Sequence, residues 1–427
     1  MKKIKLPDNV KEIIKIFNRN NFECYVVGGF VRDSLMGIKT SGDIDFCTNA
    51  TPEEVCNLFS KTILTGLKHG TVTIVHNDEM FEVTTYRTEG KYSDSRHPDT
   101  VEFVKTIEED LNRRDFTINA IAYDGRKYKF PSLSSKKQCM QDIKMRVIRC
   151  VGNPNERFNE DPLRILRAIR FEARVDNEDV AFIESETHAA MNNIENVNKL
   201  EKISKERIRD EFFKIAQYYN NTQNFYKMFD YHHIFKKAIK SFPSVKRICY
   251  NYYNGINNDI PTDIQFIGMM VYLFKLSPDN KEAYMRFKMF FKELKFPNKI
   301  IQIAEFIYTH IRLHNGYKEL NYLYKDIREK CLEDFEDDIV SCILSINECL
   351  NTTDFFMHQH FIKRKSNYAI CYKDLDINGT EIQNLGFNGK LIGECYEFLL
   401  NAVIEGYVKN NNQALKQYIR KYFEIPE

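Results

Sequence analysis

Residues 26–46 read VVGGFVRDSLMGIKTSGDIDF, and this stretch decides the fold. An apolar strand runs into two glycines, a short helix follows, and the next strand opens with two aspartates one residue apart. Residues i and i+2 of a strand face the same way, so Asp43 and Asp45 would set two carboxylates side by side. Like charges on one face repel each other, and a bound cation relieves that repulsion. Ser41, Gly42 and Asp43 are also good turn formers, so the triplet alone reads as loop chemistry too.

Context adds to the pair. Glu82, in the strand FEVTTYR, supplies a third carboxylate if a neighbouring strand brings it to the same face. Hard oxygen donors with room left for water suit Mg²⁺, and two such ions bridge carboxylates and phosphates in an in-line phosphoryl displacement. Gly28 and Gly29 end a strand and open a helix, where free backbone N–H groups and the helix dipole favour a phosphate. Arg32, one turn in, would bring a guanidinium to the same anion.

Around this core the pattern is that of a small α/β unit. The amphipathic helix VKEIIKIFNRN precedes CYVVGG, Gly37 stands where a helix C-cap would, and Thr51 with Pro52 opens the helix TPEEVCNLF. Two alternating strands follow, GTVTIVH and MFEVTTYR. After Pro162 the pattern becomes near-continuous helix with almost no strand signal, broken at NYYNGINNDIPTD, LSPDNK, KFPNK and DINGTEIQNLGFNGK. The expected fold class is therefore α+β. A head with a mixed sheet spans residues 1–150, followed by helical parts over 151–220, 221–315 and 316–427.

Composition narrows the setting. At 427 residues with 43% hydrophobic content the chain is a folded protein of several domains, and no apolar run suffices for a membrane span. Charges interrupt the start, MKKIKLPDNVKEIIKIF, so no signal peptide is expected. Eleven cysteines without C-x-x-C pairs read as reduced thiols in a cytoplasmic protein. A net charge of +2 demands that any nucleic-acid site concentrate its positive charge locally. No protein partner is evident.

GGFVRDSLMG with GDIDF resembles the nucleotidyltransferase signature of the DNA polymerase β superfamily, specifically that of the class II tRNA nucleotidyltransferases, or CCA-adding enzymes. The likeness continues through LNRRDFTINAIAYD, RFNEDPLRILRAIRF and KISKERIRDEF, and returns in NGTEIQNLGFNGKLIGE. It is dense in the first half and sparse in the middle. It implies a nucleotidyltransferase head with helical neck, body and tail, and template-free addition of C, C and A to the 3′ end of tRNA from CTP and ATP. It also implies Mg²⁺ on Asp43 and Asp45, pyrophosphate release, and Arg114, Asp115 and Asn119 around the ribose and triphosphate.

The resemblance assigns base recognition to Asp161 and Arg164, with Arg167 beside them and Glu160 holding the arginine. A physical reason supports that choice. Cytosine and adenine both present an amino donor beside a ring-nitrogen acceptor, whereas uracil and guanine present the opposite. A carboxylate only accepts and a guanidinium only donates, so the pair would favour C or A. Their i, i+3 spacing puts them on one helix face. Other readings stay open: Asp161 before Pro162 is also an N-cap, Arg113 and Arg114 a solvated helix start, and Asp115 a cap. Lys205, Glu206 and Arg207 match a family motif supporting the recognition helix, or form helix surface.

TYRTEGKYSDSRHPDTVEFV reads as a mobile loop, which the family uses to switch from C to A addition. Arg146, Arg149, Arg157, Arg167, Arg170 and Arg174 are expected around the active-site wall. Lys363, Arg364 and Lys365, with Lys416, Arg420 and Lys421, read singly as solvated faces and together as a grip on the tRNA backbone. One feature departs from the family: RKYKFPSLSSKKQCMQD lacks the usual Asp-Pro and Gly-Gly turn, although Asp142 keeps an acidic position. The rivals are a bacterial poly(A) polymerase, a CC-only or A-only enzyme, and an RNA-binding protein with a dead head.

Overall fold

A computed structural model describes residues 3–40, 42–89, 101–176, 181–219, 225–243, 261–276, 280–311, 323–324, 326–349 and 372–425. The chain forms two compact units, Met1–Tyr219 with Lys227–Lys240, and Asn220–Tyr226 with Ser241–Glu427.

The first unit opens with α1 (Asp8–Arg19), β1 (Cys24–Val27), α2 (Gly29–Met36), β2 (Asp45–Thr48), α3 (Pro52–Leu58), β3 (Thr62–Gly66), β4 (Thr71–His76) and β5 (Glu79–Thr85). Next come β6 (Arg87–Glu89), β7 (Val101–Phe103), α4 (Ile107–Asn112), β8 (Ala122–Tyr123), β9 (Tyr128–Lys129), α5 (Lys136–Met145) and β10 (Val147–Ile148). The helical part follows as α6 (Pro154–Glu160), α7 (Leu163–Val175), the short β11 (Phe182–Ile183), α8 (Ser185–Asn192), α9 (Ile194–Lys199), α10 (Lys205–Tyr219) and α11 (His232–Ala238).

Seven strands form one mixed sheet in the order β3-β4-β5-β2-β1-β8-β9. Only the central β2–β5 pair is parallel, and it sets Asp45 directly opposite Glu82. Local chemistry explains the boundaries. Thr51 and Glu54 form a reciprocal capping box at α3 with Pro52 inside its first turn, and Gly37 closes α2 in the left-handed conformation. Val10, Ile13, Ile14 and Phe17 form the buried stripe of α1. The stems of the sequence-predicted loop pair as β6 and β7, while residues 90–100 lie outside the described residues.

α7 packs against α10. Behind this contact, the Tyr231 hydroxyl donates to Glu172 Oε2 at 2.6 Å. Burial pushes the Glu172 carboxyl up to about 7, against the opposing pull of that hydrogen bond and of Lys227. A carboxyl raised on folding stabilises the native state fully below its unfolded value, and that stability is lost as pH rises through the folded value. Between pH ~5 and ~8, unfolding by urea should therefore show a loss of about 2–3 kcal/mol in the wild type from this group. Glu172→Gln should flatten that slope; an unchanged slope would remove Glu172 as its source.

In the second unit, helices Thr262–Lys275, Asn280–Glu293, Asn298–Thr309 and Glu336–Cys349 pack together. Phe266, Phe274, Phe287, Phe290 and Phe291 interlock largely edge to face among them. Helices Gly379–Asn384, Lys390–Ile404 and Asn412–Tyr422 enclose a separate apolar cluster around Ile382, Leu399, Leu415 and Ile419. The abundant aromatics here serve packing. No helix among the described residues is long and apolar enough to cross a membrane.

Candidate active site

The site is a cavity of about 680 Å³ in the first unit. Gly28, Gly29, Arg32, Asp43, Asp45, Arg114, Asp115, Asn119, Asp161, Arg164 and Arg167 all line it. Arginines outnumber aspartates nine to five along its wall, so the cavity suits a polyanion despite the chain's small net charge.

Gly28 makes the first turn. Its φ of 72° and ψ of −135° lie where side chains are strained, and an added Cβ would stand 3.8 Å from both Asp45 Oδ2 and Arg114 Nη1. Neither contact is a clash, so backbone strain decides the cost. Gly28→Ala should lose about 1–3 kcal/mol of stability in chemical denaturation. A variant as stable as wild type would show that the turn relaxes.

The turn also ends the ladder. β1 and β2 pair from Val27 opposite Asp45 back to Cys24 opposite Thr48, so Asp43 falls just before the strand, not within it as the sequence suggests. Both carboxylates are nevertheless exposed to the same cavity. Burial by surrounding protein pushes the Asp45 carboxyl up, and the charges of Glu82 and Asp43 push it further, against the pull of Arg114. This uncompensated negative charge, carried on hard oxygens, fits a divalent cation. Glu82 is exposed beside Asp45 but does not line the cavity. Among the described residues, no group of three or more acids, histidines or cysteines could hold a metal. Mg²⁺ needs no such cage, since it is usually held by one or two carboxylates with water and substrate phosphates.

The arginines are held in place before any ligand arrives. Arg32 is buried, with Nε 2.8 Å from Asp33 Oδ1 and Nη1 2.8 Å from Asn119 Oδ1. Arg114 Nη2 reaches Asp110 Oδ2 at 3.1 Å and the Cys47 thiol at 3.0 Å, while its Nε is buried without an acceptor. An anion in the cavity would satisfy that donor. Asp115 Oδ2 accepts from Arg167 Nε at 2.8 Å and Nη2 at 2.6 Å, and its Oδ1 accepts from Asn119 at 3.2 Å. Burial works to raise the Asp115 carboxyl, but Arg167 outweighs it and holds the group at about 2.

Asp161, also on the cavity wall, is both a helix cap and an ion-pair partner. Oδ1 accepts from the Leu163 N–H at 3.1 Å as a helix cap, and Oδ2 accepts from Arg207 Nη2 at 2.7 Å. Arg164 is buried; its Nη1 donates to Glu160 Oε2 at 2.6 Å and its Nη2 to the Arg113 carbonyl at 3.0 Å. Glu160 also accepts from Arg157 at 2.5 Å, so it clamps Arg164 from the preceding helix.

Arg167, Arg170 and Arg174 line the wall as expected, but Arg146, Arg149 and Arg157 do not. Arg146 donates to the Val175 carbonyl, and Arg149 pairs with Asp142 and Glu184 away from the cavity. Asp142 accepts from Thr117 at 2.7 Å. Lys363, Arg364 and Lys365 lie outside the described residues. Of the other tail cations, Lys416 is paired with Glu381 at 2.7 Å.

Sequence reasoning assigned no part to Asp33, Asp110, Phe171 or Glu211. Asp33 binds Arg32 and Arg174, and fully buried Asp110 binds Arg113 and Arg114. Glu211 pairs with Arg170 at 3.1 Å, and the guanidinium groups of Arg32, Arg167 and Arg170 surround the Phe171 ring at 4.5–5.3 Å. The one available signal was Asp110 in EEDLNRR, one helical turn ahead of both arginines.

Comparison with known proteins points to one family. Residues 24–149 match the family described as "Poly A polymerase head domain", and 182–241 match "Probable RNA and SrmB- binding site of polymerase A". The CCA-adding enzyme of Ligilactobacillus salivarius is 32% identical over 433 residues, covering 98% of each chain. The crystal structure of Bacillus stearothermophilus CCA-adding enzyme in complex with CTP superposes with a TM-score of 0.64 at 25% identity, covering 97% of this chain and 98% of that one. The Thermotoga maritima CCA-adding enzyme complexed with tRNA, at 20% identity, shares the fold with a TM-score of 0.60 over 97% of this chain and 94% of that one. With a relative this similar along its full length, and the carboxylates and arginines above gathered in one cavity, the chain belongs to the CCA-adding enzymes.

Proposed function

We propose that this protein adds C, C and A in turn to the 3′ end of tRNA, consuming CTP and ATP and releasing pyrophosphate without a nucleic-acid template. The observation that carries it is the single cavity whose wall includes both Asp43 with Asp45 and Asp161 with Arg164. A nucleoside triphosphate calls for both, since its phosphates suit cation-binding carboxylates and arginines and its base suits an acceptor–donor pair.

In this reading Asp43 and Asp45 hold Mg²⁺, with Glu82 supporting Asp45 from the next strand. Bound there, the ion supplies Lewis acidity that activates the RNA 3′-hydroxyl and stabilises charge on the α-phosphate. Gly28 and Gly29 offer backbone N–H groups to the triphosphate at the start of α2, and Arg32 and Arg114 offer guanidinium donors. In the same reading Asn119 and Asp115 meet the ribose, and a 2′-hydroxyl contact there would distinguish NTP from dNTP. Asp161 accepts from the amino group of C or A, and Arg164 donates to the ring nitrogen. Glu160 and Arg207 fix that pair, and Arg167 steadies Asp115 beside it. Residues 1–150 then act as catalytic head and 151–220 as base-reading neck, with helical body and tail parts over 221–315 and 316–427 gripping tRNA.

The test supplies tRNA transcripts lacking three, two or one of the terminal nucleotides, with each NTP singly. CTP alone should extend the first two and ATP alone the third, and addition should stop there. An open-ended A ladder would identify a poly(A) polymerase. Use of only one nucleotide would identify a partial enzyme, and binding without incorporation a dead head.

A further inference from the structure

A second cavity, of about 730 Å³, lies in the first unit away from the active site. Lys3, Lys5, Lys11, Lys15, Arg19 and Arg126 line it, against a single acid, Asp124. All six cations are exposed, and its floor includes buried Ile4, Leu6 and Ile14. The Asp124 carboxylate is engaged locally, accepting from the N–H groups of Arg126 and Lys127 at 2.7 and 2.6 Å. Lys11 pairs with Asp8 at 2.8 Å, but no ion pair joins Lys3, Lys5, Lys15, Arg19 or Arg126 to an acid among the described residues.

The charges of α1 are sorted. Lys11, Lys15 and Arg19 follow one another at i, i+4 and i+8 along the groove. On the other flank, Glu12 turns away to His76 and Asn77, and Asn9 to Glu79, at the β4–β5 turn. Successive cations of that row rise about 6 Å apart, a spacing comparable with that of neighbouring phosphates on an RNA strand. Lys3 and Lys5, on the extended segment before α1, and Arg126, just after β8, complete the basic lining.

Strand register places the groove. β8 pairs antiparallel with β1 from Ala122 opposite Val27 to Tyr123 opposite Val26, so the chain at Asp124–Arg126 has moved toward the Cys24 end of β1. Asp45 stands opposite Val27, at the other end of that strand. The groove and the cavity lined by Asp43 and Asp45 share no residue, so they are separate sites.

We infer that this groove is a second, sequence-independent cradle for an RNA phosphate backbone, contacting RNA remote from the 3′ end that enters the active site. The inference rests on the proposed function for its partner, a tRNA. Exposed lysines and arginines, all but Lys11 without an acidic partner among the described residues, neutralise phosphates and release counterions, which gives affinity that falls steeply with salt. An apolar floor lets the long side-chain stems lie flat while their charged ends project into the groove.

The test compares two charge-matched triple variants by fluorescence anisotropy with tRNA lacking its last three nucleotides. Lys5→Glu/Lys15→Glu/Arg19→Glu alters the groove, and Lys136→Glu/Lys137→Glu/Lys144→Glu alters the exposed face of α5. The groove variant should bind tRNA at least about tenfold more weakly, with a slope of log affinity against log salt shallower by about 2. The α5 variant should stay within about threefold of wild type. Single-nucleotide incorporation at saturating tRNA should be unchanged in both, and thermal melts confirm folding. Equal losses in the two variants would reduce the effect to net charge and overturn the inference. So would an unchanged slope in the groove variant. A wild-type protein that fails to bind tRNA sinks the proposed function, and this inference with it. A wild type that binds tRNA through a groove-independent slope sinks this inference alone.

Discussion

Asp45→Asn is expected to slow nucleotide incorporation by about three orders of magnitude or more, while the protein folds at least as stably as the wild type. Asparagine preserves volume and leaves untouched the backbone pairing that aligns residue 45 with Val27 and Glu82. What it removes is an anionic oxygen ligand. Losing several kcal/mol of transition-state charge stabilisation, at 1.36 kcal/mol per tenfold, gives the stated rate loss. The stability expectation has the opposite sign for a physical reason. In the unliganded protein, burial and the charges of Glu82 and Asp43 already disfavour the Asp45 carboxylate. Neutralising it relieves that cost, as is common where function keeps a strained charge in place. Two measurements separate the effects: single-turnover CTP incorporation, and thermal melting with and without Mg²⁺. The wild type should gain melting temperature with the ion and the variant should gain little, through binding linkage. Incorporation within tenfold of wild type, or an equal Mg²⁺ shift in both proteins, would remove Asp45 from the metal site.

Local punctuation carried much of the fold in the sequence. Thr51-Pro52, Gly37 and the Gly28–Gly29 pair act through their own backbone chemistry, so their roles are readable without neighbours. The strand holding Glu82 was equally plain, but its parallel register against Asp45 depends on a crossover that no local pattern encodes. Asp43 shows the same limit, since its exclusion from β2 follows from the turn at Gly28 one strand away. The arginine wall was legible as composition and not as structure. Arg146 and Arg149 resemble Arg170 and Arg174 in a one-dimensional reading, and only packing turns the first two outward from the cavity. The buried acids that hold the wall, Asp33, Asp110 and Glu211, were hidden because periodicity shows which face an acid occupies, not which distant cation meets it.

Asp161→Asn should lower kcat/KM for CTP and ATP about a hundredfold relative to UTP and GTP. The direction follows from constraints on the two oxygens of the carboxylate. Oδ1 caps α7 by accepting from the Leu163 N–H, a position that requires an acceptor. Asparagine would keep its carbonyl there, because an amino group facing that N–H would forfeit a cap worth about 1 kcal/mol. Its amino group would then take the place of Oδ2, which now accepts from Arg207 at 2.7 Å. A donor would face the cavity where an acceptor stood. It would oppose the amino group of C or A and meet the carbonyl of U or G. Two mismatched polar contacts at about 1–3 kcal/mol each, with tenfold per 1.36 kcal/mol, give the hundredfold change. Arg207 would lose its partner as well, so Arg207→Ala in the wild-type background should weaken discrimination less, by loosening Asp161 without changing its polarity. Steady-state rates decide the matter, with CTP, UTP and GTP compared on tRNA lacking its last three nucleotides and ATP, UTP and GTP on tRNA lacking only the last. Equal losses for all four would leave Asp161 a helix cap and nothing more, and unchanged ratios in Asp161→Asn would move base selection elsewhere in the cavity.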